Sequence, residues 1–369
     1  MSPPETPLKI EAPLAITMWD FSWIERRWPG AGYESWDLAL DELAERGYNA
    51  VRIDAFPHLV AENPSRTWEI LPVWTTQAWG SPAKVRIQIQ PSLSEFISKC
   101  AARKIKVGLS TWFRQDSDDL RQAIASPRRH AEIWARTLET LKKDGVLDSV
   151  LYVDLCNEWP LYLWAPFFKG GPQGARDWDK PESLVWMRTA VKELRNSFPG
   201  IPLTFSFTPE EGPYATPDLS WLDFLEPHLW MANCTSFYRQ IDYNYERFEW
   251  KGYDALVRHA EKLYRSDPGH WQSSLACRIE DLAEWSRAHQ RPLITTECWG
   301  VVDYRDWPGL DWGWVKELCE FGVQKAVATG RWAAVATSNF CGPQFVGMWR
   351  DVEWHRRLTS QIRSARLPC

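Results

Sequence analysis

Several features that would assign this chain to a metal, membrane or nucleic-acid class are missing from its sequence. The eight cysteines stand singly, without a Cys-x-x-Cys pair, and neither a His-Glu-x-x-His motif nor a glycine-rich phosphate loop occurs. No apolar run is long enough to cross a bilayer, and no block of lysine or arginine stands out in a chain whose net charge is −5. We therefore expect no metal, no other cofactor, no nucleic-acid partner and no membrane partner.

The N-terminus lacks the features of a secretory signal. Residues 1–13 are proline-rich and acidic, not basic and then hydrophobic, so we interpret them as an N-terminal extension. Isolated cysteines in a large chain are typical of reduced, buried thiols. Together these features predict a cytoplasmic protein, with secretion after loss of a leader left open.

Tryptophan is the residue in excess, with 25 in a chain of 369. Trp134, Trp186 and Trp285 fall at helical positions with apolar neighbours, which indicates core packing. Many of the others follow the ends of predicted strands. Because the C–H faces of sugars stack on indole, aromatic residues at strand ends favour a carbohydrate-binding cleft.

Apolar runs of strand length alternate with amphipathic helical patterns along the chain. The strands read as near-continuous apolar runs, which is typical of a parallel sheet covered by helices. Eight such units predict a single (β/α)8 TIM barrel over residues 1–369, with long, aromatic-rich loops after its strands. An insertion at residues 55–91 contains two segments that can pair as a hairpin, and we expect it to form a cleft wall or a lid. Such walls favour a short pocket and exo-action on small glycosides.

Two glutamates end predicted strands in similar surroundings. Glu158 follows strand four in Asp-Leu-Cys-Asn-Glu-Trp, and Glu297 follows strand seven in Leu-Ile-Thr-Thr-Glu-Cys-Trp-Gly. Catalytic residues of barrels lie at the carboxyl ends of strands, and paired carboxylates perform acid/base and nucleophilic work on glycosidic bonds. The alternative is that both are solvated loop residues. The tryptophan that follows each glutamate closely, Trp159 or Trp299, favours the functional interpretation.

These motifs resemble the signature of the clan A glycoside hydrolases, and in particular of the family 5 cellulases and mannanases. The resemblance spans nearly the whole chain. It implies a retaining β-glycoside hydrolase that works by double displacement, with Glu158 as acid/base, Glu297 as nucleophile and Asn157 bound to the sugar 2-hydroxyl. Arg52 resembles the strand-two arginine that hydrogen-bonds the nucleophile. His228 resembles the histidine of the strand-six His-x-Tyr motif.

The sequence also departs from the family 5 pattern. Tryptophan replaces tyrosine at position 230, the third strand lacks a terminal histidine, and asparagine at position 339 follows strand eight in place of a tryptophan platform. An alternative from another class therefore stays open, a barrel that binds carbohydrate without cleaving it. The sequence leaves the sugar, the linkage and the oligomeric state open. The predicted substrate-binding side chains are Asn157, Arg52, His228, Trp230, Trp299, Trp112, Trp19 and Asn339.

Overall fold

A computed structural model describes residue 8 and residues 10–174, 176–209, 217–233, 235–244 and 249–367. More than half of the predicted N-terminal extension, residues 1–7 and 9, lies outside the described residues. None of the described helices is both long enough and apolar enough to cross a membrane.

The centre of the described chain is a ring of parallel strands, which we call barrel strands one to eight in chain order. Strands five, six and seven are each interrupted once, so each contributes two short segments. The bounds of barrel strands one to eight are Leu14–Asp20, Ala50–Asp54, Lys106–Ser110, Val150–Asp154, Leu203–Thr204 with Ser206–Phe207, Glu226–Pro227 with Leu229–Trp230, Leu293–Thr295 with Cys298–Trp299, and Trp332–Ala336.

The strand pairing closes the ring. Seven strands form one sheet in the order seven, eight, one, two, three, four, five. Barrel strand six completes the ring, because its first segment pairs in parallel with Ser206–Phe207 of strand five and its second with Cys298–Trp299 of strand seven. The predicted TIM barrel is thus confirmed.

Helices surround this ring, and four of the described ones begin at a side-chain cap, at Ser35, Ser126, Asp267 and Asp351. Ser35 accepts a hydrogen bond from the Leu38 amide, and Ser126 accepts one from the Arg129 amide. The helical bounds are Ser22–Glu25, Trp36–Glu45, Pro57–Glu62, Ile89–Ala102, Pro127–Lys143, Pro181–Ser197, Phe237–Gln240, Trp250–Ala255, Glu261–Ser266, Pro268–His289, Gly313–Ala328, Val346–Trp349 and Val352–Ser364. Single turns of other helix types are Leu120–Ala123, Leu147–Ser149, Asp177–Asp179 and Leu256–Ala260.

Two helical predictions differ clearly from the structure. The pattern over residues 253–265 predicts one helix, but the structure divides it into Trp250–Ala255, Leu256–Ala260 and Glu261–Ser266. A helix over residues 277–289 is expected from the apolar pattern, but the structure begins it at Pro268. Asp267 caps this helix by accepting a hydrogen bond from the His270 amide, with proline at its first position.

The insertion after barrel strand two crosses the carboxyl ends of the strands. It begins with a short helix and contains the predicted antiparallel hairpin, Thr67–Ile70 with Val85–Gln88. The residues between these two strands, 71–84, we call the mouth segment. It contacts residues that follow five different barrel strands. These contacts join Gly80 to Arg26, Leu71 to Gln115, Trp74 to Trp164, Thr76 to Arg305 and Trp79 to Phe340.

Candidate active site

Arg52 lies at the centre of the polar side chains inside the barrel. It is fully buried on strand two, and Trp112 covers its guanidinium at 4.7 Å from the ring centroid. Its Nη1 donates to Thr296 Oγ1 at 2.9 Å and to Glu297 Oε1 at 3.2 Å. Its Nη2 donates to Asn157 Oδ1 at 2.7 Å. A buried guanidinium is costly without acceptors, so this ring of acceptors explains how the barrel tolerates it.

Asp154 holds the opposite side of the same guanidinium. Its Oδ2 accepts from Arg52 Nη2 at 2.5 Å, from Ser110 Oγ at 2.7 Å and from Ser206 Oγ at 2.9 Å. Its Oδ1 accepts from the Ser206 amide at 2.8 Å. Arg52 is therefore held between strands four and seven, which carry the two candidate catalytic glutamates.

Glu158 follows strand four in a left-handed backbone conformation, with φ of +48°. Such a conformation is uncommon outside glycine and is found at functional sites. The Glu158 amide donates to Ser206 Oγ at 3.0 Å. Its carboxylate Oε1 accepts from Thr208 Oγ1 at 3.0 Å and lies 3.1 Å from His228 Nδ1.

Glu297 approaches Glu158 from the other side of the ring. Its Oε2 lies 3.6 Å from His228 Nδ1, so one imidazole nitrogen faces both carboxylates. One oxygen of each glutamate and one nitrogen of His228 lie within 4.8 Å of one another. Such donor atoms could hold a metal ion, but the guanidinium of Arg52, 3.2 Å from Glu297, already supplies a positive charge there.

The pKa values of the two glutamates shift in opposite directions. Burial raises the pKa of Glu297 well above its ordinary value, and the charge of Glu158 adds to this shift while Arg52 opposes it. Burial acts in the same direction on Glu158, but hydrogen bonds from His228 and Thr208 outweigh it and lower the pKa of Glu158. Burial also lowers the pKa of His228, which favours a neutral imidazole. Burial and the neighbouring charge of Glu158 therefore favour the protonated form of Glu297 in the ligand-free site.

Several buried polar atoms around these glutamates lack a protein partner among the described residues. They are Asn157 Nδ2, His228 Nε2, Trp230 Nε1 and Asn339 Oδ1. A buried donor or acceptor without a partner costs free energy, which a ligand hydroxyl could recover. Trp230 lies beside His228, with ring centroids 5.8 Å apart, so the two share this end of strand six.

Two tryptophans predicted to bind substrate lie elsewhere. The Trp19 ring packs against Tyr33 and Phe96, with centroids at 5.2 Å and 6.2 Å, and is fully buried. The Trp299 ring is fully buried against Gly322 of helix Gly313–Ala328, where an added Cβ would lie 2.6 Å from it. The structure thus places Trp19 and Trp299 in the aromatic core between barrel and helices, because their rings point outward from the strands.

Other site residues were not predicted. Glu226 lies on strand six, fully buried, with its Oε1 3.5 Å from Arg52 Nε. Glu226, His228 and Trp230 occupy every second position, so a period-two pattern would have placed all three on one strand face. Ser206, Thr208 and Thr296 carry no comparable signal, since single hydroxyls are common at strand ends.

Comparisons with known proteins agree with this geometry. A family model described as sugar-binding cellulase-like matches residues 16–363. The crystal structure of a candidate glycoside hydrolase from Parabacteroides distasonis ATCC 8503 is 53% identical, with a TM-score of 0.93 over 98% of this chain and 96% of that chain. A search of curated protein sequences found no match.

More distant structures share the fold. A variant of a GH5_18 protein from Bifidobacterium longum subsp. longum, in complex with Manb1-4GlcNAc, has a TM-score of 0.55 at 12% identity, over 97% of this chain and 80% of that one. The endo-beta-1,4-mannanase of Thermotoga petrophila has a TM-score of 0.54 at 10% identity, over 98% and 79%. The family model, which matches nearly the whole barrel, shows that this chain belongs to the sugar-binding cellulase-like family.

Proposed function

We propose that this protein is a retaining β-glycoside hydrolase, with Glu297 as nucleophile and Glu158 as acid/base. The observation that carries the proposal is the pair of glutamates, on strands four and seven, with oxygens within 4.8 Å of each other. Retaining enzymes hold their carboxyl groups about 5 Å apart, whereas inverting enzymes leave about 6.5–9.5 Å for a water molecule. The spacing supports a double displacement.

In the first step, Glu297 attacks the anomeric carbon and Glu158 protonates the leaving oxygen. Water then attacks the glycosyl-enzyme and loses its proton to Glu158, which returns the site to its starting state. Both steps pass through transition states with positive charge at the anomeric carbon. The buried carboxylate of Glu297, held by Arg52 at 3.2 Å, is placed to stabilise that charge.

The first step needs the proton on Glu158, whereas the free site favours it on Glu297. A bound substrate shifts this preference, because the developing positive charge favours an ionised Glu297 and the glycosidic oxygen accepts a hydrogen bond from a protonated Glu158. His228 Nδ1 lies 3.1 Å from Glu158 and 3.6 Å from Glu297, so its N–H can donate a hydrogen bond to whichever carboxylate is ionised.

The mouth segment supports action on short substrates. It joins loops from five strands across the carboxyl ends of the barrel, and the side chain of Glu297 is only 5% exposed. A long polymer needs an open groove, whereas a covered pocket admits a chain end. We therefore assign exo-action on β-linked oligosaccharides or small glycosides, and a fast viscosity drop of a soluble β-glucan or mannan would contradict it.

A hydrolysis screen tests the proposal. Aryl β-glucosides, β-mannosides and Manb1-4GlcNAc should include a substrate, and Glu297→Ala should lower turnover by several orders of magnitude at unchanged stability. Glu284→Ala, which removes an exposed glutamate from helix Pro268–His289, is the matched control and should keep full activity. Proton NMR of the first-formed product should show the β-anomer. An initial α-anomer from a β-glycoside would overturn the retaining mechanism.

The second candidate is a carbohydrate-binding barrel without hydrolysis, and one observation favours it. Trp230 stands where the family 5 pattern carries a tyrosine, so the hydroxyl that would support the nucleophile is absent at this position. Binding of an oligosaccharide by calorimetry, with no product from any glycoside after long incubation, would favour this function.

A further inference from the structure

Glu226 is a buried carboxyl group beneath the two candidate catalytic glutamates. Its Oε1 accepts a hydrogen bond from Thr296 Oγ1 at 2.8 Å and lies 3.5 Å from Arg52 Nε. Its Oε2 makes no hydrogen bond of good geometry among the described residues, although the hydroxyl of Tyr152 faces this carboxyl group. Burying a carboxyl group with so few hydrogen bonds costs hydration free energy that packing alone does not recover.

Three carboxyl groups share the single guanidinium of Arg52. Asp154, Glu297 and Glu226 lie at 2.5 Å, 3.2 Å and 3.5 Å from its nitrogens. Among the described residues, Asp154 and Glu226 each pair with no cation other than Arg52, while Glu297 also faces His228. Because one positive charge cannot balance three negative ones in a buried site, the carboxyl groups compete for it.

Thr296 links Glu226 to the nucleophile. This residue precedes Glu297, and its hydroxyl accepts from Arg52 Nη1 at 2.9 Å while donating to Glu226 at 2.8 Å. Thr296 and Glu297 interrupt strand seven, and the hydrogen bond from Thr296 to Glu226 connects this interruption to strand six. Replacement of the carboxyl group would change both the position and the electrostatic surroundings of the nucleophile.

Other ionisable groups face Glu226 from the neighbouring strands. Tyr152 and Asp154 of strand four and Arg52 of strand two lie beside it, and His228 follows on its own strand. An added Cβ at Gly108 would lie 2.5 Å from the Tyr152 ring, so glycine leaves room for this phenol. Burial raises the pKa of Glu226 to about 7, while Arg52 opposes the shift and Asp154 adds to it. The negative charge of Glu226 in turn raises the pKa of Glu297.

We propose that Glu226 is a positioning residue that competes with Glu297 for the charge of Arg52 and so sets the pH at which the nucleophile becomes ionised. This inference rests on the proposed function of Glu297. Glu226 itself touches no reacting atom and acts through Arg52 and Thr296.

The variant Glu226→Gln tests the proposal, since it keeps the side-chain shape and the acceptor oxygen for Thr296 but removes the charge. The acidic limb of the kcat/KM profile should move to lower pH by about one unit, because Glu297 no longer has this negative neighbour. Glu25→Gln is the matched control. It removes another buried carboxylate, paired with Arg114 at 2.9 Å, and should lower stability without moving the limb. A stable Glu226→Gln protein with the wild-type limb would overturn the proposal.

A carbon NMR titration of glutamate-labelled protein tests the proposal where the kinetic experiment cannot, that is, if Glu226→Gln does not fold or if the wild-type protein cleaves no glycoside. If Glu226→Gln does not fold, the titration is done on the wild-type protein, and the Glu297→Gln variant identifies the Glu297 signal. This signal should titrate in two steps, and the first step should follow the ionisation of Glu226. A single step would refute the competition. If the wild-type protein cleaves no glycoside, the proposed hydrolase function fails, while the same titration still decides whether Glu226 and Glu297 compete.

Discussion

Replacement of Arg52 by lysine should separate the charge of this residue from its geometry. The two Nη atoms of Arg52 carry four N–H groups and lie within hydrogen-bond distance of six acceptor side chains, those of Thr296, Glu297, Ser110, Asp154, Asn157 and Ser206. A lysine ammonium has three N–H groups on one nitrogen, so it satisfies fewer of these acceptors, and each lost bond to a charged partner costs about 1.5–3 kcal/mol. Because such terms are not additive, we expect the free energy of unfolding to fall by about 3–5 kcal/mol, the usual cost of breaking a buried ion pair.

Urea unfolding and pH–rate profiles of Arg52→Lys and Arg52→Met measure the two contributions. The lysine variant should keep the acidic limb near its wild-type position, because a positive charge remains beside Glu297. The methionine variant should move that limb to higher pH, since Arg52 lowers the pKa of Glu297. A methionine variant that unfolds at the wild-type urea concentration, with an unshifted limb, would refute the central role of Arg52.

Three further predictions concern single residues. On an activated aryl glycoside, azide should partly restore the activity of Glu158→Ala, because a good leaving group needs no acid, and no rescue would contradict an acid/base role. His130 accepts from the Trp186 indole at 3.0 Å and is held neutral by burial, which lowers its pKa to about 4. The unfolded chain protonates His130 near pH 6.5, whereas the folded protein does so only near pH 4, so the free energy of unfolding falls as the pH drops through this range. His130→Gln should lose less stability over the same range, by up to about 3 kcal/mol, as measured by urea unfolding. Gly322→Ala should destabilise the protein by about 1–3 kcal/mol through its clash with Trp299 while KM stays unchanged, whereas a raised KM would support a substrate contact by Trp299.

The parts of the fold that could be predicted from the sequence are those with a strong periodic signal. Apolar strands alternating with amphipathic helices predicted the barrel, and the serine caps at Ser35 and Ser126 marked helix starts that the structure confirms. The helix that begins at Pro268 was predicted too short, because its first turns place only Trp271 and Leu275 on the buried face, among polar residues. Local capping chemistry was the better signal there.

The site residues likewise divide into those that the sequence predicted and those that it did not. The structure brings together Glu158 and Glu297, which their strand-end positions had singled out, with Asn157, Arg52 and His228, which the family resemblance implied. The outward orientation of the tryptophan rings could not be predicted, because strand seven is interrupted before Trp299 and the pairing of strands one and two shifts in register around Trp19. Such irregularities break the simple alternation of side chains between the two faces of a strand. Charge competition inside the barrel was equally hidden, since it depends on distances between strands far apart in the chain.

The mouth segment also has a consequence for the evolution of this barrel. In barrels of this architecture, variation in the loops that follow the strands supports many different chemistries. Here residues 71–84 contact residues that follow five strands, so a change in any one of those loops also alters the segment that contacts the other four. New specificities should therefore arise by paired substitutions, one in a loop and one in the mouth segment. A chimera designed from two relatives would have to carry this segment together with all of its partner loops.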